Sequence, residues 1–485
     1  MMDLTPEQQQ IVETEFDDVL LVNAYAGTGK TSTLVKFCEA RRGKKILYMA
    51  YNRAMAKEAK SKFKHLGAGV FVKTMHSLAY AAIGKDYKER LGNLRALDML
   101  QFCEDVTEKE QYYHAYLLLK LIRDFCNSKY TMEEFTNNLS KNGTDWEREN
   151  KASVSYFLDK LPKVWEQLQT DDTLAYEHDF YLKRYQLSEP KLYFDFILVD
   201  EAQDINGCVI DIVMRQRSKK VFIGDTFQSI YKFRGATDSL ERLAKLNGAV
   251  TLYLTQSFRC PRVVAGVANQ YLYLLNAPKS FKGTLIQKDD VPTQTAVIAR
   301  TNAKLFDHAI ENIDKKLHFV GGINSYNFQD LIDIQNLQWG KNDYIKNGFI
   351  KKFFDMDELV DYADEANEVD LKVKITTVRK YMKHNIRDLV KELKENSVKE
   401  QKEAELILTT GHKSKGLEWD QVEILDDFVN LREEIEAEGE CIVNKEELNL
   451  LYVAITRSKQ NLLMNDDYVL DMEFLKQNKD SITIV

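Results

Sequence analysis

The sequence lacks paired cysteines. Its six, Cys38, Cys103, Cys126, Cys208, Cys260 and Cys441, are dispersed with no C-x-x-C spacing, which argues against a zinc or iron–sulfur centre and against a disulfide framework. A reducing, cytosol-like compartment, or the nucleus in a eukaryote, is expected. No apolar run approaches the ~20 residues a membrane helix needs, so no membrane partner is expected. The opening MMDLTPEQQQ is polar and acidic, unlike a secretory leader. An excess of positive charge is missing too: 67 Lys and Arg against 75 Asp and Glu leave a formal net charge of −8. Bulk charge therefore does not mark a nucleic-acid binder, whose usual footprint is a strongly basic domain. Local charge differs, with basic clusters at Arg41, Arg42, Lys44 and Lys45 and at Lys57, Lys60, Lys62 and Lys64. Each reads either as a solvated helix face or as part of a basic groove on an acidic body. Repeats and low-complexity stretches are absent.

At 485 residues the chain is too long for one hydrophobic core, and roughly two to four domains are expected. The first ninety or so residues alternate short apolar runs, DVLLVNA, KILYMA and VFVKT, with segments of helical periodicity. Apolar strands separated by helices predict a parallel sheet covered on both faces. Residues 86–190 turn to long helical stretches, and the sheet pattern resumes at YFDFILVDEAQD and KKVFIGD. A second α/β unit is expected from about Val250, with TLYLTQS, TAVIAR, AELILTT and QVEIL as strands, interrupted over 321–402 by a charged segment of poor periodicity. The expected organisation is a first lobe over 1–85 with 191–249, a helical insertion over 86–190, a second lobe over 250–320 with 403–485, and a short insertion over 321–402.

Six motifs in order carry the chemistry. AYAGTGKT (Ala24 to Thr31) follows a strand and opens a helix, the setting in which backbone N–H groups cradle phosphates. Ala26, Gly27, Thr28, Gly29 and Ser32 would line a nucleoside triphosphate, Lys30 would reach its β and γ phosphates, and Thr31 would ligate Mg²⁺. Ala24 stands where the strict G-x-x-x-x-G-K-[ST] pattern has glycine. In VDEAQD, at the end of an apolar strand, Asp200 would hold Mg²⁺ and Glu201 would orient or deprotonate the attacking water. By itself this motif reads equally as an acidic turn with capping carboxylates. GDTFQSIYKFRGA offers Gln228 as a γ-phosphate sensor, and Tyr231, Phe233 and Arg234 as faces that could stack on unpaired bases. QSFRCP and YVAITRS supply Arg259 and Arg457, cations suited to charge developing during phosphoryl transfer. Either alone would pass for a surface arginine.

Together with TTGHKSKGLEW (Thr409 to Trp419), these motifs resemble superfamily 1A DNA helicases of the UvrD, Rep and PcrA type. AYAGTGKTSTL, YNRAMAKEA and KTMHSLAY resemble most the F-box DNA helicase branch. The resemblance runs from LTPEQQQIV at Leu4 to TRSKQNLL at Leu463. It implies an α/β fold of two RecA-like P-loop lobes, each with an insertion, and ATP-dependent 3′ to 5′ movement on DNA. It also implies that Gln8 reads the adenine edge, that Phe258 packs on the base, and that Glu418 approaches the ribose. Asn52, Thr74, His76, Tyr231, Phe233, Arg234, Thr410 and His412 fall where such helicases touch single-stranded DNA. Expected partners are single strands and single/double-strand junctions, with recombinase filaments or single-strand-binding protein as candidates. No F-box segment precedes Leu4, so a ubiquitin-ligase role is not expected, and the 28 residues beyond Arg457 leave no room for a fused nuclease. Three alternatives stay open: a translocase that strips proteins from single strands, a non-hydrolysing nucleic-acid scaffold, and an RNA motor.

Overall fold

The computed structural model describes residues 4–230, 239–285, 292–365 and 369–485. They form two compact units, one of Met1–Ala24 with Gly29–Leu254 and one of Tyr25–Thr28 with Thr255–Val485. Among the described residues no helix is long and apolar enough to cross a membrane.

The first unit is built on a six-stranded, wholly parallel sheet. Its strands are β1 (Val19–Ala24), β2 (Ile46–Met49), β3 (Val70–Lys73), β4 (Phe196–Val199), β5 (Lys219–Gly224) and β6 (Val250–Leu254), in spatial order β3-β2-β4-β5-β1-β6. Because successive side chains point to opposite faces, β1, β2, β4 and β5 each feed two cores. Val19, Leu21, Leu47, Met49, Ile197 and Val199 face one core; Leu20, Val22, Ile46, Tyr48, Phe196 and Leu198 face the other. Helix α1 (Pro6–Glu13) precedes β1, α2 (Lys30–Ala40) and α3 (Arg53–Phe63) connect β1 to β2 and β2 to β3, α4 (Met75–Ala82) follows β3, and α5 (Glu108–Asn127) belongs to the helical insertion. Leu118, Ile122 and Phe125 of α5 and Phe180 of the helix His178–Leu187 join the first of those cores. The insertion is therefore packed onto the sheet rather than standing apart from it.

One strand departs from expectation. The run TLYLTQS does not enter the second sheet: β6 pairs with β1, Leu20 opposite Val250 through Ala24 opposite Leu254, and Leu254 is buried in the first unit's core. The residues that follow form β7 (Gln256–Pro261), which pairs with β8 (Lys282–Leu285) as a separate ribbon. A single apolar run thus spans a change of unit, which periodicity along the chain cannot register.

The second unit has a five-stranded parallel sheet in the order β10-β11-β9-β12-β14, made of β9 (Thr295–Ala299), β10 (Leu317–Phe319), β11 (Leu406–Thr410), β12 (Trp419–Ile424) and β14 (Ser458–Leu463). β13 (Cys441–Val443) pairs with β15 (Ile482–Ile484). Segment 321–402, which has no clear period, nevertheless forms helices Gln329–Gln338, Met356–Glu365, Val369–Lys380 and Ile386–Asn396. Their apolar residues share a core with the sheet. The period is hidden because Gln329–Gln338 buries polar residues beside apolar ones. Asp333, fully buried, accepts the N–H groups of Lys346 and Asn347, while Gln335 bonds the His384 carbonyl and the Ile386 N–H.

Candidate nucleotide site and nucleic-acid contacts

In the first unit β4, β5 and β1 are neighbours and run parallel, so the turns beyond their C-terminal ends gather at one sheet edge, where open α/β sheets bind ligands. Lys30 opens α2 and places its ammonium 3.0 Å from Glu201 Oε2, the two side chains being 16% and 20% exposed. Glu201 holds a left-handed backbone, φ 50° and ψ 45°, a conformation rare for a residue with a Cβ and found mostly where function or packing enforces it. The fully buried Gln203 donates from Nε2 to Glu201 Oε2 at 2.7 Å and accepts the Asp225 N–H at 3.1 Å through Oε1. Asp225 Oδ2 in turn accepts Gln228 Nε2 at 2.7 Å. One chain of bonds thus links Lys30, Glu201, Gln203, Asp225 and Gln228. Gly224 makes room for it, since a Cβ there would lie 2.2 Å from Gln203 Oε1.

The charges follow from this crowding. Burial and the Glu201 charge push the Asp200 carboxyl up to about 6, against the pull of Lys30 and a Tyr48 hydrogen bond. Burial opposes the Lys30 ammonium, but Glu201, Asp200 and Asp225 outweigh it and hold its pKa above the ordinary lysine value. The Tyr48 phenol donates to Asp200 Oδ2, so a buried tyrosine hydroxyl holds the carboxylate expected to meet a cation. Among the described residues no group of three His, Cys, Asp or Glu could hold a metal unaided. A hydroxyl and one carboxylate suit instead a hard cation that brings phosphate oxygens with it.

These couplings carry a pH prediction. A carboxyl whose folded pKa is raised stabilises the fold below its unfolded pKa of about 3.9, and that contribution is lost as pH rises through the folded value. In nucleotide- and Mg²⁺-free buffer, Asp200→Asn should therefore gain on wild type by up to about 3 kcal/mol between about pH 4 and pH 7. Urea denaturation of both proteins at the two pH values measures it, and an offset independent of pH refutes it.

In the second unit Tyr25–Thr28 is pinned by side chains far along the chain. The Tyr25 hydroxyl donates to the Lys279 carbonyl at 2.7 Å, the Ala26 N–H to the Tyr452 hydroxyl at 3.3 Å, and the Phe258 N–H to the Gly27 carbonyl at 2.8 Å. Gly27 has φ +68°, and a Cβ there would lie 2.4 Å from Arg259 Cβ, so both conformation and space require glycine. Phe258 is 42% exposed. Arg259 Nε donates to Glu418 Oε2 at 2.7 Å, which joins the expected phosphate sensor to the expected ribose contact. Arg457 is 1% exposed, and its Nε, Nη1 and Nη2 bond the Val453 carbonyl, the Leu417 carbonyl and Thr456 Oγ1, bonds that brace the C-terminal end of helix Lys445–Ile455.

The structure describes five of the eight expected DNA contacts. Asn52 and Thr74 cap α3 and α4 just beyond β2 and β3, and the His76 ring bonds Asp179 at 3.0 Å. Thr410 precedes the short helix Gly411–Ser414, which carries His412. Tyr231, Phe233 and Arg234 lie outside the described residues. Gln8 uses Oε1 to cap α1 through the Thr5 N–H, while Ser32 is exposed and Thr28 buried. Sequence reading missed Tyr48, Gln203, Asp225 and Lys413. Gln203 and Asp225 lie inside or beside the quoted motifs; Tyr48, in mid-strand, carried no signal. Lys413 donates to Ser325 and lies 3.4 Å over the Tyr326 ring, and burial lowers its pKa to about 8.

Comparison with known proteins decides the family. Residues 4–245 match the UvrD/REP helicase N-terminal domain. The chain belongs to the UvrD/Rep helicase family. Similar proteins include F-box DNA helicase 1 of Gallus gallus, 30% identical over 508 residues, covering 95% of this chain and 49% of that protein. F-box DNA helicase protein 1 of Schizosaccharomyces pombe is 29% identical over 533 residues, covering 96% and 57%. ATP-dependent DNA helicase Rep of Escherichia coli is 26% identical over 350 residues, covering 66% and 50%. This helicase-family chain therefore spans about half the length of these relatives.

Proposed function

We propose that this chain is an ATP- and Mg²⁺-dependent DNA motor that moves 3′ to 5′ along single strands and unwinds duplex or remodels nucleoprotein at single/double-strand junctions. The observation that carries the reading is the bonded series from Lys30 through Glu201, Gln203 and Asp225 to Gln228 at one sheet edge. Lys30 binds the β and γ phosphates and Glu201 aligns and deprotonates the attacking water. Thr31 and Asp200 would hold Mg²⁺, which supplies charge neutralisation at those phosphates. Gln228 senses the γ-phosphate and passes its loss back to Glu201 through Asp225 and Gln203. Arg259 leaves Glu418 for the developing charge, and Phe258 and Gln8 hold the adenine. Asn52, Thr74, His76, Thr410 and His412, with Tyr231, Phe233 and Arg234, grip the strand. The cytoplasm, or the nucleus of a eukaryote, is the place of action, and recombinase filaments or single-strand-binding protein are the protein partners this task would meet.

Steady-state ATPase with and without single-stranded DNA, single-stranded RNA and blunt duplex, at one fixed low salt concentration, tests the proposal. Strong stimulation by single-stranded DNA alone is expected. Equal stimulation by RNA reassigns the track, and no stimulation by any strand removes the motor. Stimulated hydrolysis with strand displacement too slow to follow would limit the task to clearing proteins from single strands.

A further inference from the structure

One face of helix α3 carries four cations that the nucleotide site does not use. Arg53, Lys57 and Lys60 are exposed, and so is Lys64, the C-cap residue, which keeps helical φ and ψ. At 3.6 residues per turn the four fall within about a 60° sector, forming a stripe roughly 16 Å long. Ala56, Ala59 and Phe63 bury the adjoining face, which fixes the stripe toward solvent. Nearby carboxylates are engaged elsewhere: Glu58 pairs with Lys62 on the far side of the helix, and Glu39 with Lys36 and His65. Among the described residues none of the four cations has an ion-pair partner. Like charges three and four residues apart destabilise a helix, so this row works against the helix that carries it, on a chain whose net charge is −8. An anionic partner accounts for its presence.

We infer that the α3 stripe grips the phosphate backbone of duplex DNA. Two observations favour duplex over single strand. Sites for unpaired nucleic acid combine cations with aromatic platforms on which bases stack, yet no large apolar side chain between residues 53 and 64 is exposed. The stripe is also straight and rigid, and duplex DNA is a stiff rod with its phosphates at fixed spacing, which a flexible single strand is not. Contacts of this kind position a protein without reading sequence. α3 is capped by Asn52, beyond the C-terminal end of β2, so the stripe starts at the sheet edge proposed to hold the single strand and leads away from it. The inference rests on DNA being the track.

The test uses the full chain, blunt duplex and a thymidine oligomer, with affinity followed by fluorescence anisotropy across salt. Replacing three cations in K57Q/K60Q/K64Q should make the slope of log K against log salt for duplex less steep by about 2.7, about 0.9 per lost contact, and weaken duplex binding at least roughly ten-fold at low salt. Affinity for the oligomer and oligomer-stimulated ATPase should stay near wild type, and thermal stability should hold or rise as repulsion is relieved. K57R/K60R/K64R, which keeps the charge, should keep the wild-type slope. An unchanged duplex slope in the Gln variant overturns the inference, and so does an equal loss on the single strand. Failure of the motor reading is separate, because it appears as wild-type ATPase indifferent to single-stranded DNA whatever the slopes.

Discussion

Lys30→Ala should lose hydrolysis by at least about 10²–10³-fold, the range for removing one preorganised charge-stabilising donor, in the presence of single-stranded DNA as in its absence. The structure sharpens this beyond the motif. The ammonium lies 3.0 Å from Glu201, and its charge is held by Glu201, Asp200 and Asp225 together. Its removal strips the phosphates of a partner and leaves three carboxylates facing one another. Nucleotide affinity should therefore fall along with turnover, as expected for an interaction made in both ground and transition states. Glu201→Gln provides the contrast: the amide retains a shape able to meet Lys30 and Gln203, so nucleotide should still bind while hydrolysis is lost. Fluorescent-nucleotide binding and single-turnover hydrolysis on both variants separate the two effects. Near-normal turnover in either variant would remove the mechanism.

Arg457→Ala should first be a folding mutant. The side chain is among the largest fully buried ones, 1% exposed, and it bonds two carbonyls and a hydroxyl around the end of helix Lys445–Ile455. Truncation leaves a cavity where a large side chain was fully buried and removes these three bonds, at about 1–3 kcal/mol for each hydrogen bond made by a charged group. A total of roughly 3–5 kcal/mol is expected, which in a unit of this size lowers Tm by the order of 10 °C. Arg457→Lys should rescue little, since one ammonium cannot span the geometry of a planar fork. Thermal melts in the absence of nucleotide decide the matter. A variant with wild-type Tm and crippled ATPase would restore the purely catalytic role that its motif suggests.

Where local pattern and local chemistry coincide, the chain reads directly. Each strand of the first sheet is legible as an apolar run, though β6 does not show to which sheet it belongs, and Lys30, Asp200, Glu201 and Gln228 stand at strand ends because a parallel sheet delivers all such ends to one edge. Legibility fails for residues whose partners lie far along the chain. Tyr48 reads as an ordinary strand tyrosine, yet it is the buried hydroxyl that meets Asp200. Gln329–Gln338 reads as irregular because Asp333 and Gln335 occupy core positions, which only their bonds to the 346–347 and 384–386 segments make tolerable.

By itself the sequence determined the chemistry on offer: a glycine turn followed by Lys30 and Thr31, of the kind that can cradle phosphates, two carboxylates after an apolar strand, and a family of motifs in one order. These depend on residue type and short spacing, which linear order preserves. The tertiary structure alone decided how those groups are coupled. It set Asp200 near pKa 6 by burial beside Glu201, routed Gln228 to Glu201 through Gln203, took Arg457 into a helix end, and moved β6 into the first sheet. Each of these turns on burial and on hydrogen bonds between residues distant in sequence, and such pairings exist only once the chain has closed on itself.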